Sequence, residues 1–294
     1  MTDFSSIGHG EPIESALYVV ASPIGNMADI SLRALSVLDQ VDLIAAEDTR
    51  HSRRLLDHYG ITTRLMSLHE HNEEQKAGQI IERIGRGQSI ALISDAGTPL
   101  ISDPGYVLVN RVRAHSLPVR PVPGACAMIS ALSVSGLPTD RFAFEGFLPA
   151  KPVARANRLE MLKEDERTLV FYESPHRVQD ALKAIRNIFG DDREMVVARE
   201  ITKRFETVLK GSASELCDIV ELDENQRKGE FVFVVRGYRA TGDELDPKAK
   251  SLLLQLVEYL PLKQAAAIVA QHYGGNKKVY YQFGVQTREK QADS

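Results

Sequence analysis

Cysteine is scarce: Cys126 and Cys217 are the only two in 294 residues. So few thiols supply neither a disulfide framework nor a cysteine-rich zinc pattern, and they fit a reducing, cytoplasmic compartment. Long apolar runs are missing as well. The longest, such as residues 41–46 and 231–235, are strand-sized and far short of the roughly 20 residues that cross a bilayer, so no membrane segment is expected. Neither sign of charge dominates, since 36 Lys+Arg against 40 Asp+Glu leave a formal net charge of −4. That balance excludes an acidic disordered chain and a uniformly basic nucleic-acid coat, so an anionic partner must be met by a local patch. Residues 1–12 lack the basic and apolar regions of a cleaved signal. Neither GxGxxG nor GxxxxGK[ST] occurs, which excludes the nicotinamide fingerprint and the P-loop, and no internal repeat is present.

What the chain does have is a 43% hydrophobic content, enough to core about two domains of ordinary size. From Leu17 to Gly136, short β-branched runs (LYVVAS, VDLIAAE, SIALIS, PVRPVP) alternate with amphipathic stretches (SLRALSVLD, TRHSRRLLDHY). The alternation predicts an α/β domain with a mostly parallel sheet over 14–136. The turn-rich GLPTDRFAFEGFLPAKP, with three prolines and three aromatics, reads as a junction. In the second block, 137–238, strands outnumber helices. Two of them, near Val197 and Val208, lie too close for a crossover helix, so a mixed sheet is expected. An exposed linker over 239–249 leads to a small helical domain, 247–287, of three short helices punctuated by Gly274-Gly275. Between Lys263 and Lys290 five basic residues face one acidic residue, a surplus that could hold nucleic acid or simply be a solvated face.

Several strand-to-helix turns have the composition of ligand loops. The first, Val20-Ala21-Ser22-Pro23-Ile24-Gly25-Asn26, follows a strand at the edge where open parallel sheets bind ligands. The strongest signal is Leu92-Ile93-Ser94-Asp95-Ala96-Gly97-Thr98-Pro99-Leu100-Ile101-Ser102-Asp103-Pro104-Gly105, with two aspartates, two glycines and two prolines in its loop. Such a loop is stiff yet lets backbone approach a ligand; Asp95 and Asp103 would orient a ligand or partner loop, or, for Asp103, cap a helix. A third turn, Pro121-Val122-Pro123-Gly124-Ala125-Cys126-Ala127, also leads into a helix, with Cys126 read as a buried packing thiol rather than a nucleophile. Three polar clusters begin where strands end: Ala46-Glu47-Asp48-Thr49-Arg50, Tyr172-Glu173-Ser174-Pro175-His176-Arg177 and Ala198-Arg199-Glu200-Ile201-Thr202-Lys203-Arg204. Together they offer Arg50, Arg177, Arg199, Lys203 and Arg204 to phosphates and Asp48, Glu173 and Glu200 as candidate bases, although singly each suits a helix cap or surface ion pair. His69-Glu70-His71-Asn72 lacks HExxH spacing, so no metal is expected.

The ordered set VASPIGN, AEDTR, LISDAGTPLISDPG, VPGACA, FYESPHR and AREITK resembles the tetrapyrrole-methylase superfamily and, within it, the ribosomal small-subunit methyltransferase I family. The resemblance covers residues 17–237, and LPLKQAAAIVAQHYGGNKKVYYQFG is similar to the helical domain that some members append. It implies a two-domain α/β homodimer that binds S-adenosylmethionine in a cleft and 2′-O-methylates a cytidine in the decoding centre of 16S rRNA within the 30S subunit. The cofactor wall it implies is Pro23, Gly25, Ala96, Gly97, Thr98, Ile101, Cys126, Ala127, Tyr172 or Glu173, and Glu230. Tetrapyrrole-carbon methylases carry a GGDP-type sequence where this chain has Ala96-Gly97-Thr98-Pro99, which leaves the loop register open by about a residue.

For methyl transfer to a ribose oxygen, Glu200 or Asp48 is expected to accept the proton while Arg199 and Lys203 hold phosphates or the developing oxyanion. Arg50, Arg177, Arg204, Lys277 and Lys278 are expected to bind RNA. Two other readings are a methylase of a small tetrapyrrole and a non-enzymatic RNA-binding factor on the same fold.

Overall fold

A computed structural model describes residues 13–239 and 245–292. The segment expected to lack a signal, 1–12, and residues 240–244 of the expected linker lie outside the described residues. The chain divides into two compact units, one ending at Gly237 and the other beginning at Tyr238.

In the first unit the apolar runs become β1 (Leu17–Val20), β2 (Leu43–Ala46), β3 (Leu65–Ser67), β4 (Ile90–Ile93) and β5 (Val119–Val122). Between them lie α1 (Leu32–Gln40), α2 (Thr49–His58), α3 (Glu73–Gly85) and α4 (Tyr106–Ala114). All pairs are parallel, in the order β3-β2-β4-β1-β5. Side chains alternate across the sheet: Tyr18 and Val20 pack with Ala34, Val37, Leu55 and Leu56 of α1 and α2. Leu17 packs with Ala77, Ile80, Leu108 and Val112 of α3 and α4 on the other face. The chain therefore leaves β1 toward one face and β4, its neighbour, toward the other, which makes the gap between these two strands a topological switch point, the usual ligand crevice of open parallel sheets.

The helix that follows, α5 (Ala127–Ser135), packs not on this sheet but on the next, with Ala131 and Leu132 against Val170, Val196, Val232 and Val234. That second sheet comprises β6 (Phe142–Phe147), β7 (Thr168–Glu173), β8 (Glu194–Arg199), β9 (Thr207–Ser212) and β10 (Phe231–Val235), in the order β6-β7-β10-β8-β9. Only β6 and β7 run parallel; β10 with β7, β10 with β8, and β8 with β9 are antiparallel, the mixed sheet expected. Helices α6 (Pro152–Leu162), α7 (Val178–Phe189) and α8 (Ala213–Leu222) cover its other face. The segment read as a turn-rich junction contains an edge strand, β6, with a bulge between Phe144 and Gly146. Prolines 138, 149 and 152 stand outside it, where they bound the strand without removing a ladder donor.

The second unit holds α9 (Pro247–Leu256), α10 (Leu262–Tyr273) and α11 (Lys277–Ala292) around Leu253, Leu262, Ala266, Val269 and Tyr280. The third helix is longer than the sequence suggested, at 16 residues. The turn before it is pinned by the Tyr280 hydroxyl, which donates to the Gly274 carbonyl at 3.0 Å.

Gly237 lies so close to the Glu166 carbonyl that a Cβ there would overlap it. Gly237→Ala is expected to destabilise the first unit by about 1–3 kcal/mol, as for other overpacked positions, seen as a lowered thermal midpoint; an unchanged midpoint would contradict the packing described.

Candidate active site

Three loops at the carboxyl ends of β4, β1 and β5 are tied to one another. Ser22 N–H donates to the Gly97 carbonyl at 2.8 Å and Gly97 N–H donates back to Ser22 at 3.1 Å. The Thr98 hydroxyl donates to the Ala125 carbonyl at 3.0 Å, joining the β4 loop to the β5 loop. Gly97 takes φ +79°, and the non-glycine Leu100 and Ser102 take φ 75° and 69°. At the two non-glycine residues this conformation costs about 1–3 kcal/mol each and persists only where surrounding contacts fix it, as is common in ligand-binding loops. The β5 loop ends at Cys126, which precedes α5 without a side-chain cap; the Met128 N–H is taken by the Tyr172 hydroxyl, and the other first-turn N–H groups are left for an anionic group.

The facing wall comes from the second sheet. Its register places Phe231 opposite both Glu173 and Arg199, so β7, β8 and β10 present their adjoining ends together. Glu173 is buried; its Oε1 accepts from Ser174 N–H at 2.8 Å and pairs with Arg177 at 2.8 Å, while its Oε2 has no hydrogen-bond partner. The Tyr172 hydroxyl accepts from Met128 N–H at 3.1 Å, and burial and the neighbouring Cys126 thiol push its pKa up. Beyond β8 the chain turns sharply through Glu200 and Thr202, at φ 51° and 66°. The Thr202 hydroxyl accepts from Asn26 N–H at 3.2 Å, and Lys203 lies where a side chain on Gly25 would be. Lys203 Nζ bonds Glu200 at 3.0 Å and Glu230 at 2.8 Å. Burial opposes its charge, but Glu230 and Glu200 outweigh that and raise its pKa.

Between the walls lies a cavity of about 410 Å³. Of the expected cofactor wall it is lined by Ala96, Gly97, Thr98 and Ile101 from the β4 loop, Cys126 and Ala127 at the start of α5, and Tyr172, Glu173 and Glu230. Pro23 and Gly25 line an adjoining cavity of about 310 Å³ that shares Ile24, Ala96 and Glu230 with the first. Lys203 also borders this second cavity.

Cys126 is only half-buried and belongs to the cavity wall, not to a packed interior. Gly105, not Asp103, precedes the first residue of α4, and Asp103 lines the larger cavity. Above all burial, then the charges of Glu47 and Asp95, push the Asp103 carboxyl up to about 6 against a hydrogen bond from Ser94. Asp48 caps α2 and pairs with the exposed Arg50, which holds its carboxyl low. Arg199 is 7% exposed, its guanidinium donating to Thr207 at 3.0 Å and to the Lys228 carbonyl at 3.1 Å. Arg177 holds Glu173, Ser174 and the Leu148 carbonyl. Arg204 is exposed and covers the exposed Phe205 ring at 5.5 Å. Lys277 and Lys278 are exposed at the start of α11. Burial acts to raise the Glu200 carboxyl, but Glu230 N–H, Lys203 and Arg199 outweigh it and hold the pKa low. Among the described residues no group of three His, Cys, Asp or Glu could hold a metal ion.

Sequence reasoning did not assign Phe147, Ser174, Pro175 or Val232 to the larger cavity, nor His51, Ser52 and Arg54 to the smaller. Only Ser174-Pro175 carried a signal, as the turn after a strand; Phe147 reaches the site through the pairing of β6 with β7, Val232 through that of β10 with β7, and His51, Ser52 and Arg54 through the rotation of α2.

A family model described as Tetrapyrrole (Corrin/Porphyrin) Methylases matches residues 16–217, and one described as the RsmI C-terminal HTH domain matches residues 243–288. Proteins named Ribosomal RNA small subunit methyltransferase I are similar over nearly the whole chain. The one from Pasteurella multocida is 52% identical over 92% of this chain and 96% of its own. That from Pseudomonas aeruginosa is 52% identical over 93% and 98%. The chain belongs to this methyltransferase family. The fold agrees: diphthine synthase superposes with a TM-score of 0.57 at 15% identity, covering 75% of this chain and 90% of that one. Cobalt precorrin-4 methyltransferase gives 0.54 at 17%, covering 75% and 94%.

As a member of the family the protein is an S-adenosylmethionine-dependent methyltransferase, and the larger cavity fits that cofactor. The unpaired Glu173 Oε2 suits a sulfonium or ammonium cation, Ile101, Phe147 and Val232 suit the adenine ring, and the uncapped first turn of α5 suits the carboxylate. Glu173→Gln, which keeps the shape and removes the charge, is expected to weaken S-adenosylmethionine binding about 10- to 150-fold, the range of a charge-assisted hydrogen bond. Titration calorimetry on folded variant checks this; unchanged affinity would contradict the assignment.

Proposed function

We propose that the protein methylates the 2′-oxygen of a cytidine ribose in the decoding centre of 16S rRNA, acting on the 30S subunit in the cytoplasm as a homodimer. The observation that carries this reading is near-full-length identity of about half to proteins named Ribosomal RNA small subunit methyltransferase I. Supporting it, among the described residues no helix is long and apolar enough to cross a membrane. The exposed Arg204 and Phe205 offer charge and a stacking face to RNA. Lys277 and Lys278 stand at the start of the last helix of a segment that matches a helix-turn-helix model. Apolar side chains left at the surface of α5 and β6, such as Ile129, Val134 and Phe142, are ones a second copy would cover.

When bound, S-adenosylmethionine supplies a methyl carbon on a sulfonium, the electrophile for the ribose oxygen. The chain's own residues position, stabilise and deprotonate. Lys203, fixed by Glu200 and Glu230, is a preorganised cation for the developing oxyanion. Glu200 is committed to that lysine and Asp48 to the α2 cap, so neither is a good proton acceptor. Asp103 takes that role in our reading: it lines the donor cavity, and its carboxyl titrates nearest to working pH. Arg177 and Arg199 act from inside the wall, holding Glu173 and the β8–β10 ends.

The direct test supplies labelled S-adenosylmethionine to 30S subunits from cells lacking the protein and maps ribose methylation by mass spectrometry. A 2′-O-methylcytidine in the decoding centre is expected. Absence of transfer to subunits, naked RNA or precursors, with cofactor binding intact, would overturn the reading. Because a base works deprotonated, kcat/KM should rise with pH through about 6 and level off above it. Asp103→Asn should lower it by about 10²–10⁴-fold and abolish that rise; a profile unchanged in the variant would remove Asp103 from the role.

A further inference from the structure

The smaller cavity is a second built site. Its wall combines apolar faces from Met27 and Leu55, cations from Arg54 and Lys203, and polar groups from Ser52 and Asp95. Ser52 is 2% exposed, sits in the second turn of α2, and its hydroxyl has no hydrogen-bond partner. A buried hydroxyl without a partner loses about 1–3 kcal/mol, a cost that a bound polar ligand removes. Asp95 is half-buried and uses Oδ1 to accept from Asp48 N–H at 3.0 Å, which fixes the carboxylate. The cavity meets the methyl-donor cavity along Ile24, Ala96 and Glu230, so an occupant lies next to the donor.

We propose that this cavity receives a single everted cytosine nucleotide of the acceptor RNA, with Asp95 and Ser52 reading its Watson–Crick edge and Arg54 and Lys203 facing its sugar-phosphate. The proposal rests on the RNA-methylating reading above and adds the residues that select the base. About 310 Å³ lies at the small end of ligand sites and suits one nucleotide taken out of its stack, the way enzymes reach atoms held inside folded nucleic acid. A carboxylate accepts from the cytosine N4 amino group and repels the O4 carbonyl of uracil. A serine hydroxyl can serve either the N3 or the O2 acceptor. Met27 and Leu55 supply apolar lining for a flat ring.

The test uses the full chain, its Asp95→Asn and Ser52→Ala variants, and 30S subunits from cells lacking the protein, carrying either cytidine or uridine at the acceptor position. Asparagine keeps an oxygen for Asp48 N–H, so the α2 cap survives. The wild-type protein should methylate the cytidine subunits and discriminate against uridine. Asp95→Asn should lose about 5- to 150-fold of that preference, the equivalent of one base-edge contact of about 1–3 kcal/mol. Ser52→Ala should slow methylation of cytidine. Both should keep S-adenosylmethionine affinity within about threefold by calorimetry. If both variants keep the wild-type rate and preference, or if either loses cofactor affinity in step with methylation, the cavity is not the base pocket. If the wild-type protein methylates no ribosomal RNA at all, the functional reading fails first, and that result is separable from failure of the pocket.

Discussion

The reciprocal pair of backbone hydrogen bonds between Ser22 and Gly97 is the constraint on which the rest of the site depends. It joins the loops after β1 and β4, the two neighbouring strands whose chains depart to opposite faces of the sheet. Without that tie the crevice at the switch point would be two independent loops over a solvent gap. With it, and with Thr98 anchored to Ala125, the strained conformations at Leu100 and Ser102 become affordable and the donor cavity acquires a fixed floor. The same loops carry Ala96 and Ile24, the boundary between the two cavities.

Electrostatics divide the site into two functions. On the proposed donor side the unpaired oxygen of Glu173 offers negative charge to a cation, while the half-buried Asp103 is kept for the proton. Lys203 is held between two carboxylates, so its charge is fixed in place, and in the proposed reaction little reorganisation is needed when negative charge develops beside it. The loop through Glu200 and Thr202 supplies this lysine and contacts Asn26, which links the second sheet to the first at the point where the two cavities meet. The exposed Lys277 and Lys278 at the start of α11 belong to the second compact unit, so the proposed RNA contacts draw on more of the chain than the cofactor cavity does.

The backbone-built parts of this arrangement were legible in the sequence. Loops dense in Pro, Gly and Asp announce conformations that few other residues adopt, and three such loops in order located the floor of the cavity. Alternating apolar runs gave the parallel sheet, and the short spacing between β8 and β9 gave the antiparallel pair. What was not legible depends on tertiary burial. Arg199 and Arg177 look like surface cations in sequence, yet each is drawn inside to hold a wall. Cys126 looks like core but stands at a cavity. Ser52 is an ordinary helical serine until packing removes its water, and Glu173 keeps one oxygen unpaired only because Arg177 and Ser174 both occupy the other. The strand β6 was obscured by the prolines that bound it.

The most direct test of donor and acceptor cavities as one continuous site is a crystal structure with a conjugate in which an S-adenosyl group is linked through a methylene to the 2′-oxygen of cytidine. The account predicts the adenosyl part against Gly97 and Tyr172, the linker passing Ala96 and Glu230, and the cytosine in the smaller cavity at Ser52 and Asp95. An adenosyl group seated as described with the cytosine turned to solvent or placed on any other surface would contradict it.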